Sequence, residues 1–179
     1  RGDTVACFFE KPSTRTRVSF AAAAERLGML ALLLRPDELQ LGRGETIADT
    51  ARTLSGYANA IVIRTFDQAT VEEIADAAGA PVINALTNEH HPCQALADVL
   101  TLRERFGDLK GLKLAFVGDF DNVATSLAEA AGHGTELADD DPAALVGGGG
   151  TDPGVDAEVL VAQHDGAVVG HAHEVIGAV

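Results

Sequence analysis

Two arginines and three hydroxyl side chains are crowded into five positions, Ser13 to Arg17 (STRTR). They follow an apolar run and precede an alanine-rich segment, which predicts a strand, a turn and a helix. A helix beginning here would offer unpaired N–H groups and the positive end of its dipole, and an arginine could bind an oxyanion through two donors. Ser13 could instead simply cap the helix while both arginines face water, but a cap needs only one hydroxyl. The spacing therefore favours a phosphate or other anion site.

Two further segments carry groups that could act on a polar substrate. Arg64 ends an apolar run, and His91 begins a His-Pro-Cys-Gln segment at residues 91–94. Strand carboxyl ends line the ligand crevice of open α/β sheets, so Arg64 is a candidate, although solvated arginines are common at strand ends. Considered alone, His91 could simply begin a helix, and Cys93 is better explained as a small packing residue than as a nucleophile. The interpretation of His91 therefore depends on the STRTR segment.

The elements that must position these groups alternate between short apolar runs and segments of helical periodicity. The apolar runs predict strands over residues 4–9, 29–34, 60–63, 81–85 and 112–117. The periodic segments predict helices over residues 18–27, 47–54, 70–78, 95–106 and 123–131. Thr70 and Glu73 have the spacing of a capping box, which would start the third of these helices. This alternation predicts an α/β fold with a mostly parallel sheet covered by helices on both faces.

A polar break at Gly107 to Gly111 (GDLKG) interrupts this alternation, and the strand–helix pattern then restarts. We therefore expect two domains, residues 1–107 and residues 108–179. The second pattern weakens after Gly132, where an acidic run is followed by four consecutive glycines, Gly147 to Gly150. A glycine run loses much backbone entropy on folding and brings no side chains to offset it, so this stretch predicts a loop.

Composition narrows the class of protein. The 179 residues include 27 acidic and 13 basic side chains, a formal net charge of -14, which disfavours binding to nucleic acid through a general basic surface. Abundant Asp and Glu with scarce lysine favour a protein of concentrated salt over an ordinary acidic protein. No apolar run is long enough to span a membrane, and two cysteines are too few for a disulfide scaffold or a zinc cluster. We expect a soluble, cytoplasmic protein without a membrane partner.

Five segments, in chain order, resemble the aspartate/ornithine carbamoyltransferase family. They are FEKPSTRTRVSF (9–20), QLGRGETIAD (40–49), IVIRTF (61–66), HPCQALAD (91–98) and GDFDNVATSL (118–127). The first resembles the family's carbamoyl-phosphate motif, and a lysine such as Lys11 before the proline is typical of the ornithine branch. The likeness is strong over residues 4–131 and weak beyond them. Five ordered segments make the resemblance specific.

The resemblance implies a two-domain carbamoyltransferase fold, in which each domain is a parallel sheet with helices on both faces. It also implies carbamoyl transfer from carbamoyl phosphate to the side-chain amine of L-ornithine, without a metal or organic cofactor, in a homotrimer or a multiple of trimers. Catalysis would rest on Arg64 and His91, and Asn122 would bind ornithine. The implied carbamoyl-phosphate ligands are Ser13, Thr14, Arg15, Thr16, Gln40, Arg64, His91, Pro92, Cys93 and Gln94. Arg17 lies outside this set, and we expect it to form a structural ion pair.

Some positions depart from the family's pattern. Phe120 stands where the family has a glycine, and Asp121 replaces the first of two adjacent asparagines. A helix before the first strand and two later motifs, one binding ornithine and one carrying a reactive cysteine, have no counterpart here. We therefore expect part of a longer enzyme whose second domain is incomplete. The alternatives are an aspartate carbamoyltransferase-like enzyme and a non-catalytic relative that binds carbamoyl phosphate or another anion.

Overall fold

A computed structural model describes residues 2–41, 43–110, 112, 114–117, 119–132, 158–163 and 166–171. The chain divides into two compact units, residues 1–91 and residues 92–179. Each unit has its own sheet, with four strands in the first and three in the second within the described residues. Both units combine strands with helices, which confirms the predicted α/β class.

The first unit alternates strands with helices along its whole length. Its elements are β1 (Thr4–Phe9), α1 (Arg15–Arg26), β2 (Leu30–Leu34), a 3-10 turn (Pro36–Glu38), α2 (Ile47–Ser55), β3 (Ala60–Arg64), α3 (Gln68–Ala77) and β4 (Val82–Leu86). The strands lie in the order β2-β1-β3-β4, and every adjacent pair is parallel. Parallel neighbours need crossover connections, which α1, α2 and α3 provide.

The direction of these connections determines which face of the sheet each helix covers. The first connection leads from β1 outward to β2, whereas the next two lead in the opposite direction, to β3 and then to β4. Because such crossovers are right-handed, α1 covers one face and α2 with α3 cover the other. On the second face, buried side chains of sheet and helices form one core cluster: Phe8, Ala51, Ile61, Ile63, Val71 and Ile74. Each large side chain buried there contributes about 1.5–3 kcal/mol, which holds the strand ends in place.

The second unit contains α4 (Pro92–Phe106), β5 (Leu114–Val117), α5 (Asn122–Gly132), β6 (Glu158–Gln163) and β7 (Gly166–His171). Within this unit α4 packs against α5. β5 and β6 are parallel, but β6 and β7 are antiparallel, so the expectation of a wholly parallel second sheet is wrong at that pair. Only two residues separate β6 from β7, and so short a connection can join only antiparallel strands.

Three helices begin two or three residues earlier than the sequence predicts, at Arg15, Gln68 and Pro92. The predicted capping box at Thr70 is wrong, because α3 begins two residues before it, after Asp67 in an extended conformation. α4 begins at Pro92 because proline suits the first helical position, where its missing N–H has no partner to lose. The other predicted strands and helices are confirmed, with small differences at their ends.

The predicted domain boundary near Gly107 stays a prediction. Along the chain, the first compact unit ends at His91 and the second begins at Pro92. α4 belongs to the second unit because it packs against α5. The loop predicted at Gly147 to Gly150 lies outside the described residues. Within the described part of the chain, no helix is long and apolar enough to cross a membrane.

Candidate functional site

The carboxyl ends of β1 and β3 form the centre of the candidate site. The connections after these two strands leave in opposite directions, which is the arrangement that opens a ligand crevice in α/β sheets. Phe9, the last residue of β1, lies opposite Arg64, the last residue of β3. The backbone N–H groups of Glu10 and Lys11 donate to the Arg64 carbonyl oxygen, at 2.9 and 3.4 Å. The segment leading into α1 is therefore fixed to the strand end that carries Arg64.

The N-terminus of α1 has no side-chain cap. The capping position is Thr14 rather than Ser13, its hydroxyl makes no capping hydrogen bond, and the first turn contains no acidic residue. The Val18 N–H donates to the Thr14 carbonyl oxygen at 3.0 Å, which closes the first helical turn. No hydrogen bond joins the hydroxyls of Ser13, Thr14 or Thr16 to any residue that the structure describes. Hydroxyl and backbone donors at this helix end are therefore available to a ligand.

Arg15 and Arg17 place two positive charges in the first turn of α1. Positive side chains at this end of a helix oppose the helix dipole, at a cost of roughly 0.3–1 kcal/mol each. Neither arginine forms an ion pair with a described residue, so the structural ion pair expected of Arg17 is not found in that part of the chain. A bound anion would turn this repulsion into attraction, since it is drawn to both arginines and to the dipole.

Arg64 is half-buried at the end of β3. Its Nε atom is enclosed by the protein and has no hydrogen-bond partner among the described residues. Burial lowers the pKa of the Arg64 guanidinium. The pairing of β3 with β4 shifts by one residue between Ile63 and Arg64, an irregularity that changes the path of a strand end. A buried donor without a partner costs about 1–3 kcal/mol, which a polar ligand could recover.

The loop between β4 and α4 brings His91 to the same edge of the sheet, because β4 is parallel to β1 and β3. Thr87 closes a tight turn there: its N–H donates to the His90 carbonyl oxygen at 2.8 Å. Its hydroxyl oxygen accepts the N–H groups of Glu89 and His90, at 3.3 and 3.0 Å. Thr87 is fully buried and His91 is half-buried. His91 therefore follows a turn that is held in place by hydrogen bonds.

Gln68, the first residue of α3, supports this turn. Its side-chain oxygen accepts a hydrogen bond from the Thr87 hydroxyl at 3.1 Å and another from the Asn84 amide at 3.2 Å. Gln68 and Thr87 were not among the residues predicted from the sequence, because they lie 19 residues apart and no periodicity relates them. The sequence signals that could have found them were positional: Thr87 stands in the polar segment after a predicted strand, and Gln68 stands just before a predicted helix.

Thr65 adds a second link between neighbouring strand ends. Its hydroxyl donates to a carboxylate oxygen of Glu10, after β1, and its N–H donates to the carbonyl oxygen of Leu86, at the end of β4. Thr65 is buried. The residue after Arg64 is therefore tied to the strands on both sides, which fixes the backbone of the candidate site.

In the second unit, Pro92, Cys93 and Gln94 form the first turn of α4. Gln94 is exposed, and its amide nitrogen donates to Asp98 Oδ1 at 2.9 Å, one helical turn further on. Asp98 therefore orients the Gln94 amide, a role that the sequence did not reveal. Burial raises the pKa of the Cys93 thiol, which agrees with a packing residue rather than a nucleophile.

Asn122 begins α5, directly after Asp121. Asp121 Oδ1 accepts two N–H groups of the first turn, at 3.0 and 3.1 Å, and so caps the helix. An aspartate at this position therefore provides the cap that an asparagine would provide. Phe120, the other departure from the family's pattern, packs against buried Ala128 of α5.

Gln40 lies between β2 and α2 and is exposed. Its carbonyl oxygen accepts the Arg43 N–H at 2.9 Å, and a bridge between Leu41 and Glu45 narrows the same loop. Within the described part of the chain, no hydrogen bond joins the Gln40 side chain to another candidate residue. Its contribution to carbamoyl-phosphate binding therefore stays a prediction.

The four-stranded parallel sheet, with polar groups gathered at its carboxyl edge, defines a doubly wound α/β protein. A family profile described as aspartate/ornithine carbamoyltransferase, carbamoyl-P binding domain, matches residues 1–104. The chain belongs to this family.

Individual relatives agree with this assignment. An ornithine carbamoyltransferase of Bacillus subtilis is 61% identical over 126 residues, which cover 70% of this chain and 40% of that protein. The solved ornithine carbamoyltransferase from Pyrococcus furiosus aligns with a TM-score of 0.76 and 46% identity, over 98% of this chain and 49% of that one. An aspartate transcarbamoylase from Trypanosoma cruzi, in complex with carbamoyl aspartate and phosphate, aligns with a TM-score of 0.65 and 36% identity, over 72% and 43%. The chain thus spans less than half the length of each.

Proposed function

We propose that this protein is an ornithine carbamoyltransferase, which transfers the carbamoyl group of carbamoyl phosphate to the side-chain amine of ornithine and releases citrulline and phosphate. The observation that carries the proposal is the basic, uncapped N-terminus of α1 beside the strand end of Arg64. That arrangement suits a doubly charged phosphate better than it suits an empty protein surface. The name of the Bacillus subtilis relative, 61% identical, supports the same activity.

In this proposal the phosphate is bound by Ser13, Thr14, Arg15 and Thr16. The helix end supplies backbone N–H groups, the hydroxyls supply further donors, and Arg15 adds a full positive charge that can contact two oxygens. The local charge matters because the protein's net charge of -14 would otherwise repel a dianion. The positive site therefore attracts the substrate and stabilises the phosphate as it leaves.

Attack of a neutral amine on the carbamoyl carbon builds negative charge on the carbonyl oxygen. We assign Arg64 and His91 to that oxygen, where one well-placed donor contributes roughly 3–4 kcal/mol in oxyanion holes. Arg64 and Arg15 would also share the charge that grows on the leaving phosphate. Holding both substrates in one orientation provides much of the remaining acceleration. Every group in this scheme is a side chain or a backbone N–H, so the proposal includes no metal or organic cofactor.

The remaining assignments come from the resemblance. Gln94 would orient the carbamoyl nitrogen, with Pro92 and Cys93 beside the same substrate, and Asn122 would hold the amino-acid part of ornithine. The hydrogen bond from Gln94 to Asp98 supports the first assignment, because it limits the rotation of the Gln94 amide. Replacing Asp98 with alanine should therefore weaken turnover without removing phosphate binding.

An aspartate acceptor is the alternative within the family. The Trypanosoma cruzi aspartate transcarbamoylase resembles this chain in structure, at 36% identity. Lys11 and the Gly-Arg-Gly-Glu segment at residues 42–45 favour the ornithine branch. Measuring carbamoyl transfer to ornithine and to aspartate, with protein expressed from its complete gene, decides between them. Product formation from aspartate alone would overturn the ornithine assignment.

A non-catalytic anion-binding protein is the alternative outside enzymes. It shares the observation that carries the main proposal, because an uncapped, basic N-terminus of α1 could bind an anion without catalysing a reaction. The intact mass of the native protein separates the two: a mass near 18.5 kDa supports the binding protein, whereas about twice that mass supports the enzyme. Binding of carbamoyl phosphate without turnover on any amine would contradict the proposed activity.

Assembly, location and pathway are further parts of the proposal. The resemblance supports a homotrimer or a multiple of trimers, in which the loop of Gln40 serves a neighbouring subunit's site. Composition supports a cytoplasmic protein adapted to concentrated salt. The resemblance supports a role in arginine metabolism, through the urea cycle or the arginine deiminase pathway. Sedimentation of the active protein tests the assembly, since a fully active monomer would contradict it.

A further inference from the structure

Lys11 makes two contacts that the proposed chemistry does not use. Its Nζ atom donates to Asn88 Oδ1 at 2.9 Å and lies 5.3 Å from the centre of the Phe66 ring. Lys11 follows β1, Phe66 follows β3 and Asn88 follows β4. The Lys11 side chain therefore connects the segment that leads to Ser13 with the loop after Arg64 and the loop before His91.

The backbone already makes two of these connections. The Lys11 N–H donates to the Arg64 carbonyl oxygen at 3.4 Å, and the Asn88 N–H donates to the Phe66 carbonyl oxygen at 2.8 Å. Among the described backbone hydrogen bonds, none joins the loop after β1 directly to the loop after β4, since β3 lies between those strands. The Lys11 side chain makes that direct connection, across 77 residues of chain.

We propose that Lys11 is a positioning residue, which keeps the Ser13–Thr16 segment and the turn before His91 at a fixed separation. This inference rests on the proposed function, because it takes the first segment to bind phosphate and His91 to meet the carbonyl oxygen. The two groups belong to one substrate molecule, so a displacement of one segment slows the reaction even where the phosphate still binds. The ammonium is engaged by the Asn88 amide and by the face of the Phe66 ring.

The test compares Lys11→Met, Asn88→Ala and the double variant in protein expressed from its complete gene. We expect each single change to lower kcat about ten-fold, because it releases the same connection, while the KM for carbamoyl phosphate changes less than about two-fold. The double variant should be no worse than either single variant, since the two residues act through one contact. Lys11→Arg should retain most activity, because a guanidinium can make both contacts.

Two matched controls separate this effect from a general loss of charge or stability. Lys110→Met removes a different lysine, which is exposed and lies in the second unit. Asn59→Ala removes an acceptor, Oδ1, to which the Thr4 N–H donates at the same 2.9 Å distance, at the opposite end of the sheet. Both variants should keep the kcat of the parent protein.

Each other outcome overturns the inference. If Lys11→Met raises the KM for carbamoyl phosphate about ten-fold while Asn88→Ala is normal, Lys11 is a substrate contact. If both variants have normal kcat, the contact has no role in turnover. A third measurement, hydrogen exchange with solvent, needs no substrate. In Lys11→Met the backbone N–H of Asn88 should exchange on the order of five-fold faster. An unchanged exchange rate at Asn88 rejects the positioning role. If Asn88 exchanges faster in the variant but the parent protein has no carbamoyltransferase turnover, only the proposed function is rejected.

Discussion

The N-termini of α1 and α2 belong to the same unit, but they differ in whether side chains satisfy their backbone donors and balance the helix dipole. At α2, the Thr46 hydroxyl accepts the Asp49 N–H at 3.1 Å and donates to the Asp49 carboxylate at 2.8 Å. The same carboxylate pairs with Arg52 at 2.9 Å. At α1, the capping hydroxyl of Thr14 makes no such bond and the first turn is basic. α2 satisfies its own donors and charge, whereas α1 does not.

This difference indicates where a ligand belongs. A side-chain cap contributes about 1 kcal/mol to helix stability, and an acidic first turn adds roughly 0.3–1 kcal/mol. The segment before α1 contains hydroxyls that could provide the cap, yet none does so in the described structure. A helix end that forgoes local stabilisation and carries like charges is stabilised when an anion binds to it. The comparison can be tested by altering each helix end separately.

The largest effect is expected from Arg15→Ala. Loss of a charged, two-point contact should lower kcat/KM by roughly 30- to 1000-fold, equivalent to 2–4 kcal/mol, with KM raised and kcat lowered because phosphate charge grows toward the transition state. The ligand-free protein should lose no stability, since Arg15 is exposed and its charge opposes the dipole of α1. Turnover assays and thermal melts with and without phosphate measure both. Arg52→Ala, on α2, is the matched control, and an Arg15 variant with normal carbamoyl-phosphate affinity would refute the phosphate site.

A smaller effect on stability should distinguish Thr46, which caps α2, from Thr14, which occupies the same position of α1 without capping it. Thr46→Ala should lower the free energy of unfolding by about 0.5–2 kcal/mol, because a cap in use is removed. Thr14→Ala should change it by less than about 0.5 kcal/mol without ligand, because its hydroxyl makes no cap, and should weaken phosphate binding instead. Chemical denaturation of both variants measures the difference. Equal losses of stability would show that the two helix ends are alike.

Arg17 distinguishes a structural from an electrostatic role at α1. Arg17→Gln should raise the free energy of unfolding of the ligand-free protein by roughly 0.3–1 kcal/mol, because a positive charge leaves the positive end of the helix. The gain should shrink at 1 M salt, where the Debye length is about 3 Å. Denaturation at two salt concentrations measures this. A loss of stability would instead show that Arg17 has a structural partner.

The smallest effect concerns α5, the third helix end considered. Asp121→Asn should change the free energy of unfolding by only about 0.3 kcal/mol, because asparagine and aspartate cap helices about equally well. Asp121→Ala should cost about 1 kcal/mol by the same measurement, since it removes the acceptor of two N–H groups. If the asparagine variant lost as much as the alanine variant, the carboxylate charge rather than the cap would explain Asp121.

Features that depend on neighbouring residues were predictable from the sequence. The apolar run before Ser13 identified β1, the periodicity of Ile47, Ala51 and Leu54 identified α2, and the alternation of the two patterns indicated the parallel sheet. The chemistry of Ser13 to Arg17 was also local, because residue types and a helix start are enough to suggest an anion site. The roles of Gln40 and Asn122 came from resemblance and stay predictions.

Features that depend on distant residues were not predictable. Lys11 meets Asn88 across 77 residues, and Gln68 meets Thr87 only because α3 and β4 are packed together. The spacing of Thr70 and Glu73 suggested a helix start, but the same spacing occurs inside a helix, where it carries no capping role. The antiparallel pairing of β7 with β6 was missed because neither strand was predicted from the sequence. These contacts follow from packing, which periodicity does not encode.

The carboxyl edge of the first sheet, where the candidate site lies, also constrains the order in which the protein can fold. The hydrogen bond from Thr65 to Glu10 joins residues 55 positions apart, and the parallel pairing of β1 with β3 closes the same loop. Loop closure and non-local strand pairing are slow steps. A nascent chain that has emerged only as far as β2 possesses the basic helix end but no Arg64 beside it. If the proposed site binds phosphate, binding must follow this pairing, and saturating phosphate should slow unfolding far more than it accelerates the first steps of folding.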